Sequence, residues 1–485
     1  MADLELDPEK KLEAEVRPVE EEEPVAPKGI FAKVHYYEKY LDRKMGIESN
    51  SLDRVHPENR HSPSPQVMAF MWASATMNIS CFSTGFLGKE FGLSLGQTIP
   101  IIIFATLLGA MVTGWCATMG PGTGLRQVAI SRYSFGYYPS SIIALLNVIE
   151  QLGWASVNCI TGGLALSAVS NGHVSIAVGV VIVACVSLLF SFVGLRGVLL
   201  YEKYAWILFF IIFMIIYGEA AHRANLSDPP SVHGLTRSGQ VLSLFSVVYG
   251  SSASWSSIVS DFYVHYPVNT PKIKVFLYTT LGITIPTCIG MLLGACIASA
   301  LSENPEWAEA YEGGIGEILK EIIYPSGFAK FLLVLLVLSG IGVNVIAIYA
   351  GALSAQLFAP PCAKVPRVVW SLIVFNFLSL LGYWNTSFFV ILFTEHYYFR
   401  KGNLANYDLD AWNTPSKMPV GYAGLTAFLC GAAGWIVGMV ETYYVGALAS
   451  MIGVQGGDIA NELALVFTAA SYLPLRILEL RYVGR

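Results

Sequence analysis

The sequence predicts an all-α polytopic membrane protein, and three observations support this fold class. Of its residues, 54% are hydrophobic and only 13% are charged, whereas soluble domains carry about 25% charged residues. Several apolar stretches, such as residues 174–194, reach the ~20 residues that a helix needs to cross a bilayer. Two such stretches are interrupted by serine, asparagine and glycine at matched positions. A soluble protein would need more charged residues to cover its surface.

Residues 1–66 predict a disordered acidic N-terminal tail and a cytoplasmic lead-in. The first 28 residues hold ten acids and four bases and are rich in proline and glutamate. Such a composition cannot bury enough apolar surface to fold. The tail has no apolar core like that of a signal peptide, so we expect the first span to direct insertion.

Residues 67–485 are predicted to form the transmembrane domain. Its candidate spans, in order, are 67–87, 97–118, 138–166, 174–194, 203–223, 240–260, 276–300, 328–357, a region within 366–399, 421–446 and 458–480.

The distribution of basic residues predicts that the N-terminus is cytoplasmic. These residues concentrate in alternate connections, as the pairs Arg126 and Arg132, Arg196 and Lys203, Lys272 and Lys274, and Lys364 and Arg367. Connections of this kind face the cytoplasm. Asn225, in the sequon Asn225-Leu226-Ser227, is a glycosylation candidate in a connection that this orientation places outside.

The region 366–399 conflicts with a simple count of spans. Arg400 and Lys401 indicate that the chain is cytoplasmic again there, which requires two crossings after Arg367. Each crossing would have about 15 residues, or ~22 Å of helix against ~30 Å of hydrocarbon. A single crossing fits the length but inverts the predicted membrane orientation of every segment that follows.

Two spans contain polar interruptions. The sixth contains YGSSASWSSIVSDF (249–262) and the first contains MNISCFSTGFLG (77–88). Transporters built from inverted repeats use such discontinuous helices to bind substrate at mid-membrane. Small polar residues also allow helices to pack closely, and this alternative stays open. The matched positions predict a first repeat over 67–223, a second over 240–399 and extra helices over 421–480.

The motifs of other protein classes are absent from the sequence. It contains no phosphate-binding Walker loop, no HExxH and no nucleophile elbow, so we expect no enzyme, no metal and no cofactor. The eight cysteines have no paired spacing. The sequence contains no stretch that would form a selectivity filter, so we do not expect a channel. We also expect no nucleic acid as partner.

Six stretches of the chain resemble the nucleobase–cation symporter-1 family, and the match is closest to fungal purine–cytosine permeases. They are GPGTGLRQVAISRYSFGYYPS (120–140), NVIEQLGWASVNCITGG (147–163), SFVGLRGVLLYEKYAW (191–206), the interruption 249–262, ALSAQLFAPPCAKVPR (352–367) and TEHYYFRKG (394–402). The resemblance implies twelve spans in a five-plus-five inverted repeat with two extra C-terminal helices. It also implies uptake of cytosine, adenine, guanine or hypoxanthine across the plasma membrane, coupled to protons rather than sodium.

A planar nucleobase requires aromatic faces for stacking and amides or hydroxyls for its edge. Trp154 and Asn158 are four residues apart and share one face of the third span, while Trp255 lies in the sixth-span interruption. The resemblance implies that these three residues line the substrate site. Further hydroxyl candidates are Ser80, Ser83, Ser252 and Ser254.

The eighth span departs from the family pattern. Purine–cytosine permeases resemble one another in an asparagine-rich stretch there, whereas SGIGVNVIAIYAGALS (339–354) has a single asparagine, Asn344. Val343 and Ala347 stand where other amides are expected. Loss of a hydrogen-bonding group can change selectivity strongly, so the alternative substrate is another small heterocycle, such as a vitamin B6-like ring or a specialised metabolite.

Proton coupling requires an ionisable group within the membrane. The resemblance favours Glu202, which opens the fifth span, and the helical spacing favours Glu150, one turn before Trp154. Asp261, at the end of the sixth-span interruption, is the third candidate. For Glu202 the alternative is an interfacial carboxylate paired with Lys203 or Arg196.

Residues 365–384 lack a stretch that family members normally have, long enough for most of the ninth span. A deletion or a misassigned intron would explain the gap and predicts a short or distorted element at 366–385. An inactive paralogue is therefore a further alternative.

Overall fold

The fold is that of a computed structural model, which describes residues 52–60, 66–191, 194–359, 362, 383–441 and 444–485. For 194–200 and 441 only the backbone is described. The predicted disordered tail and most of the predicted ninth-span region lie outside the described residues.

The described residues are mostly helical. The helices are α1 (Gln66–Thr76), α2 (Ile79–Thr84), α3 (Leu87–Glu90), α4 (Leu95–Ala117), α5 (Met119–Thr123), α6 (Gln127–Phe135), α7 (Ser140–Val169), α8 (Ile176–Ser191), α9 (Gly194–Ala220), α10 (Gly234–Ala253), α11 (Lys272–Ala300), α12 (Pro305–Glu312), α13 (Ile315–Ile322), α14 (Ser326–Phe358), α15 (Tyr383–Thr394), α16 (Tyr422–Gly438) and α17 (Ala460–Val483). Strands β1 (Val440–Glu441) and β2 (Tyr444–Val445) pair antiparallel, with Val440 opposite Val445.

Six of the described helices are long and apolar enough to cross a membrane. They are Leu95–Thr123, Ser140–Val169, Tyr201–Arg223, Lys272–Ala300, Ser326–Phe358 and Ala460–Val483. Ile176–Ser191 and Tyr422–Gly438 are shorter apolar helices. The first predicted span is absent from this set because Asn78 divides it into short helices. The sixth is absent because α10, although 20 residues long, is too rich in polar residues.

The first span is divided between α1 and α2 by Asn78. Its backbone is extended, with φ −134° and ψ 171°, and its side-chain oxygen accepts a hydrogen bond from the Cys81 amide. The side-chain amide donates to the carbonyl of Ala75 at 2.9 Å. Asparagine at this position therefore caps the second helix and satisfies a carbonyl at the end of the first.

The sixth span ends its α-helix at Ala253 and continues as two 3₁₀ turns, Ser254–Ser257 and Val259–Phe262. Serine hydroxyls bond to the backbone here: Ser251 donates to the Val248 carbonyl and Ser254 to the Ser251 carbonyl. Local bonds of this kind compete with the regular helix ladder, so a serine-rich stretch is where the helix loosens.

The helix contacts follow the inverted repeat. Helix α7 packs antiparallel against α14, and α4 packs against α11, so the third and eighth spans pair, as do the second and seventh. Helix α1 also contacts α11, and α10 contacts α4, which are equivalent pairs in the two repeats. Gly85 allows α2 to approach α11 closely, because a Cβ there would lie 2.1 Å from the Met291 carbonyl oxygen.

One end of the bundle, which we call the basic end, carries the lead-in 52–60, helix α6 and the loop 402–420. Arg54 forms an ion pair with Asp410, and Arg132 donates to the Asn413 side chain at 2.8 Å. Helix α15 reaches the same end, where Arg400 lies over the Tyr407 ring at 4.8 Å. The bases after α15 therefore lie at the same end as those after the second span.

The extra helices α16 and α17 pack on each other and on α15. Asn461 at the start of α17 accepts a hydrogen bond from Thr386 of α15 and donates to Ser246 of α10, both at 2.8 Å. Near the other end of α17, Arg476 pairs with Glu395 at 3.2 Å and with Glu479 at 2.8 Å. These helices are thus joined to the second repeat by buried polar contacts.

Candidate functional site

A cavity lies between the two broken spans and the third span. Its cavity volume is about 50 Å³, which is room for a few water molecules. Its walls come from α1, α2, α7, α10, α11 and α14, and the lining residues are Ala75, Thr76, Asn78, Ser80, Cys81, Thr84, Trp154, Asn158, Ser251, Trp255, Thr287, Met291 and Val343.

Trp154, Asn158 and Ser80 meet at this cavity, as the sequence predicts. The Ser80 hydroxyl lies 2.8 Å from the Asn158 side-chain oxygen and 2.7 Å from that of Asn78. The indole N–H of Trp154 has no hydrogen-bond partner among the described residues. The helical spacing from Trp154 to Asn158 gives the cavity an aromatic face beside an amide edge.

Trp255 reaches the same cavity from the 3₁₀ turn of the sixth span. Behind it, Trp72 of α1 makes an edge contact, with ring centroids 5.4 Å apart. The two predicted tryptophans therefore line the cavity from two different spans, which is the arrangement that a flat ring requires.

The other predicted hydroxyls and Asn344 do not line the cavity. The Ser254 hydroxyl donates to the backbone at Ser251, and the Ser252 hydroxyl is buried without a partner among the described residues. Ser83 is half-buried on α2, where its neighbour Thr84 lines the cavity instead. The Asn344 amide donates to the Cys159 sulfur and to the Ser187 hydroxyl, at 3.3 and 3.2 Å.

Several lining residues were not predicted from the sequence. Asn78, Ser251 and Thr287 add polar atoms, while Val343 adds an apolar wall. Cys81 also lines the cavity, and its thiol donates to the Thr287 carbonyl at 3.3 Å. For Asn78 a signal was available, because an asparagine within the apolar first span marks the break; for Thr287 the sequence offers none.

Glu202 is a buried carboxylate between three spans. It is 1% exposed, and neither of its side-chain oxygens has a hydrogen-bond partner among the described residues. Ser74 of α1 faces it, and a Cβ on Gly342 of α14 would lie 2.8 Å from its Oε1. Glu202 thus lies where the first, fifth and eighth spans meet.

Glu150 is fully buried in a polar network next to the sixth-span break. Asn385 of α15 donates to its Oε1 at 2.6 Å, and the Ser257 hydroxyl lies 3.2 Å from its Oε2. The same hydroxyl lies 2.8 Å from the Asn147 side-chain oxygen, and the Asn147 amide donates to Ser354. This network touches four spans one helical turn from Trp154.

Asp261 lies apart from the cavity. Its Oδ1 accepts the backbone N–H of Gln127 at 2.8 Å, and its backbone carbonyl accepts a hydrogen bond from Arg126 at 2.7 Å. A carboxylate at this position stabilises the N-terminus of α6, so these contacts favour a structural role.

Asn225 lies at the end of the bundle opposite the basic end. Its side-chain amide donates to Glu303 at 2.7 Å, and its side-chain oxygen accepts the Ser227 amide at 2.8 Å. Among the described residues, no three His, Cys, Asp or Glu side chains come together as a metal site would require.

Two discontinuous helices around a buried cavity, in helix pairs related as two repeats, define a membrane transporter of the inverted-repeat class. A family model described as "Permease for cytosine/purines, uracil, thiamine, allantoin" matches residues 55–457. The chain belongs to this family of permeases. It is a transporter and not an enzyme, and the resemblance to nucleobase–cation symporters is confirmed.

Curated relatives match almost the whole chain. The vitamin B6 transporter TPN1 of Saccharomyces cerevisiae is 31% identical, over 94% of this chain and 91% of that protein. The purine-cytosine permease FCY2 of the same yeast is 33% identical, over 93% and 90%. The purine-cytosine permease fcyB of Emericella nidulans is 34% identical, over 92% and 91%.

A solved structure shares the fold. Mhp1, a nucleobase-cation-symport-1 family transporter in a closed conformation with bromovinylhydantoin bound, superposes with a TM-score of 0.67. The identity is 14%, over 90% of this chain and 96% of that one. The predicted fold class is confirmed, while the predicted short ninth span lies outside the described residues.

Proposed function

We propose that this permease is a secondary active transporter that imports purine- and cytosine-type nucleobases by proton symport. The observation that carries the proposal is the cavity itself, where Trp154 and Trp255 provide aromatic faces and Asn158 provides an amide edge. A ring between the two indoles would be stacked, and the amide would bond its edge as donor and acceptor.

The polar groups of the cavity suit a ring with several edge atoms. The Trp154 indole N–H is a donor without a partner among the described residues, and Ser80 and Thr287 lie along the same wall. Family membership and the two purine-cytosine permease relatives support this substrate class.

Glu202 is our first candidate for the proton carrier. A carboxylate that is buried without a hydrogen-bond partner among the described residues is costly when charged, so proton binding there relieves the cost. Its position between the first, fifth and eighth spans links that protonation to the broken helix. Glu150 is the second candidate, because its network reaches the break in the sixth span.

We assign the basic end to the cytoplasm, and with it the N-terminus, in a plasma-membrane protein. The lead-in is held at that end by Arg54, and the opposite end carries acids such as Glu303 and Asp228. Basic loops that face the cytoplasm support this orientation. It places Asn225 outside, where glycosylation is possible.

A vitamin B6-like ring is the second candidate substrate. Val343 places an apolar side chain on the cavity wall, and Asn344 bonds to α7 and α8 instead. The methyl substituent of a vitamin B6-like pyridine ring would suit such a wall. The vitamin B6 transporter relative, at 31% identity, supports the same reading.

The test is uptake of labelled cytosine, adenine, hypoxanthine and pyridoxine by a yeast that lacks its own permeases, at acidic and neutral pH. Nucleobase uptake that is stronger in acid supports the proposal. Pyridoxine uptake alone would replace the substrate class, and uptake of none of the four with the protein at the cell surface would favour an inactive paralogue.

Glu202→Gln tests the coupling step. The amide keeps the shape but carries no titratable proton, so we expect accumulation in acid to fall to the neutral-pH level while exchange of internal for external label persists. Glu219→Gln, an exposed carboxylate near the end of the same helix, is the matched control. Accumulation that remains pH-driven in Glu202→Gln would contradict the assignment.

A further inference from the structure

We propose that Asn385 of α15 is a positioning residue for the substrate cavity, acting through Glu150 and the 3₁₀ turn that carries Trp255. Asn385 is 1% exposed and does not line the cavity. The inference rests on the proposed function in one respect, namely that this cavity is the transport site.

Asn385 hydrogen-bonds to both Glu150 and Ser256, and no other side chain among the described residues connects these two directly. Its amide nitrogen donates to Glu150 Oε1 at 2.6 Å, and its oxygen accepts from the Ser256 hydroxyl at 3.4 Å. A carboxylate accepts but does not donate when ionised, so the amide orientation is fixed by the chemistry of its partners. The short bond to Glu150 is the stronger of the two.

The two bonds hold the turn Ser254–Ser257 from both sides. The Ser256 hydroxyl lies 3.4 Å from the Asn385 oxygen. The single proton of the Ser257 hydroxyl is shared between the Asn147 side-chain oxygen at 2.8 Å and Glu150 Oε2 at 3.2 Å. Trp255 immediately precedes these serines and lines the cavity. Rotation of Asn385 away would leave Glu150 Oε1 unpaired and would release one of the two hydroxyls that orient the indole.

The opposite face of α15 provides a matched control. Thr386 donates to Asn461 at 2.8 Å, and Ser387 accepts from Thr468 at 2.9 Å, so both face the extra helix α17. Thr386→Val removes a buried hydrogen bond from the same turn of the same helix. Thr386 contacts Tyr249 near the end of α10, but it touches neither Glu150 nor the 3₁₀ turn.

The described groups that face Glu150 are uncharged. Asn385 and Ser257 contact it directly. Asn147 joins the same network through Ser257, and Gln151 and Ser354 bond to Asn147. A second carboxyl at position 385 would therefore be the one other ionisable group in direct contact with Glu150 among these residues.

Hydrogen exchange on the purified protein tests the positioning without any substrate. In Asn385→Leu, we expect backbone amides of the peptide covering 254–262 to exchange at least about ten-fold faster than in the unmodified protein, as loss of a bond to a charged group implies. Thr386→Val should leave that peptide unchanged. Equal exchange in all three proteins would overturn the inference, whatever the protein transports.

Uptake of labelled adenine, cytosine, hypoxanthine and pyridoxine tests the consequence. Asn385→Leu should raise the KM of the transported compound by about ten-fold with normal surface abundance. Asn385→Asp keeps the bond from Ser256, but two carboxyl groups at this separation must share a proton. Its KM should be near normal in acid and rise about ten-fold toward neutral pH.

The outcomes distinguish the positioning role of Asn385 from the proposed transport function. A KM that changes equally in Asn385→Asp, Asn385→Leu and Thr386→Val at every pH would indicate a packing effect and would overturn the positioning role. Absence of uptake by the unmodified chain, together with faster exchange in Asn385→Leu, would reject the proposed function and retain the positioning of the turn.

Discussion

At the scale of single residues, neighbouring positions on one helix divide between binding and packing. Val343 lines the cavity, whereas the next residue, Asn344, points to Cys159 and Ser187. Successive residues on an α-helix are about 100° apart, so one of the two must turn away from the cavity. Of Asn158 in the third span and Asn344 in the eighth, it is Asn158 that reaches the cavity.

Asn158→Ala should weaken substrate binding, and Asn344→Ala should not. Loss of the Asn158 amide leaves the substrate edge unpaired and raises the KM by about ten-fold or more, while Ser80 keeps its bond to Asn78. Both variants remove the same chemical group from buried helix positions. A KM that rises equally in both, measured by uptake at matched surface abundance, would place Asn344 in the site after all.

At the scale of elements, the two broken spans are held by different devices. The first span is interrupted by a single cap residue, Asn78, and the sixth span by a run of serines that bond to the backbone. Both breaks face the same cavity. The broken first span also requires close packing, because Gly85 and Gly294 allow α2 and α11 to cross with almost no space for side chains.

Gly85→Ala should destabilise the protein. The added Cβ would lie 2.1 Å from the Met291 carbonyl oxygen, a backbone atom that must move, and overpacking of this kind costs about 1–3 kcal/mol or more. Gly250→Ala, where no atom lies within 4 Å of the added Cβ, is the control. The melting temperature of the purified proteins should fall for Gly85→Ala and hold or rise for Gly250→Ala.

At the scale of the whole molecule, the extra helices are part of the same polar framework as the repeats. Glu395, in the π-helical turn after α15, is paired with Arg400 at 3.0 Å and with Arg476 at 3.2 Å. Arg476 also pairs with Glu479, whose other oxygen accepts the Gly421 and Tyr422 amides at the start of α16. One arginine thus joins three helices at the basic end.

Arg476→Met should be strongly destabilising. It leaves buried Glu479 without a cation and Glu395 with Arg400 alone, and removing one partner of a buried ion pair costs about 3–5 kcal/mol. Lys417→Met, which breaks an ion pair with Asp408 that is more than half exposed on both sides, should cost less than ~1 kcal/mol. Similar thermal stability of the two purified variants would show that the network is not structural.

The sequence predicted what depends on composition and local pattern. The spans and the two interruptions follow from apolar length and polar breaks. The expectation that Trp154, Asn158 and Trp255 line a site rested on helical spacing together with the family resemblance. Which face of a helix turns inward depends on neighbours distant in the sequence. The orientation of Asn344 and the contact of Asn385 with Glu150 could therefore not be predicted from their own surroundings.

The serine-rich break shows the same limit. Its composition identified the segment, but six similar side chains gave no means of choosing among them. Ser251 lines the cavity, Ser254 bonds to the backbone, and Ser256 and Ser257 bond to Asn385 and Glu150. Those roles are set by α7 and α15, which pack against the turn.

The two indoles of the cavity give it an optical reporter. Trp154 and Trp255 both line the cavity, so a planar heterocycle stacked on them would quench their fluorescence. Because the chain has ten tryptophans, occupancy is read as the quenching that is lost when Trp154 or Trp255 is replaced by phenylalanine. A panel of candidate heterocycles could be ranked this way without any transport taking place.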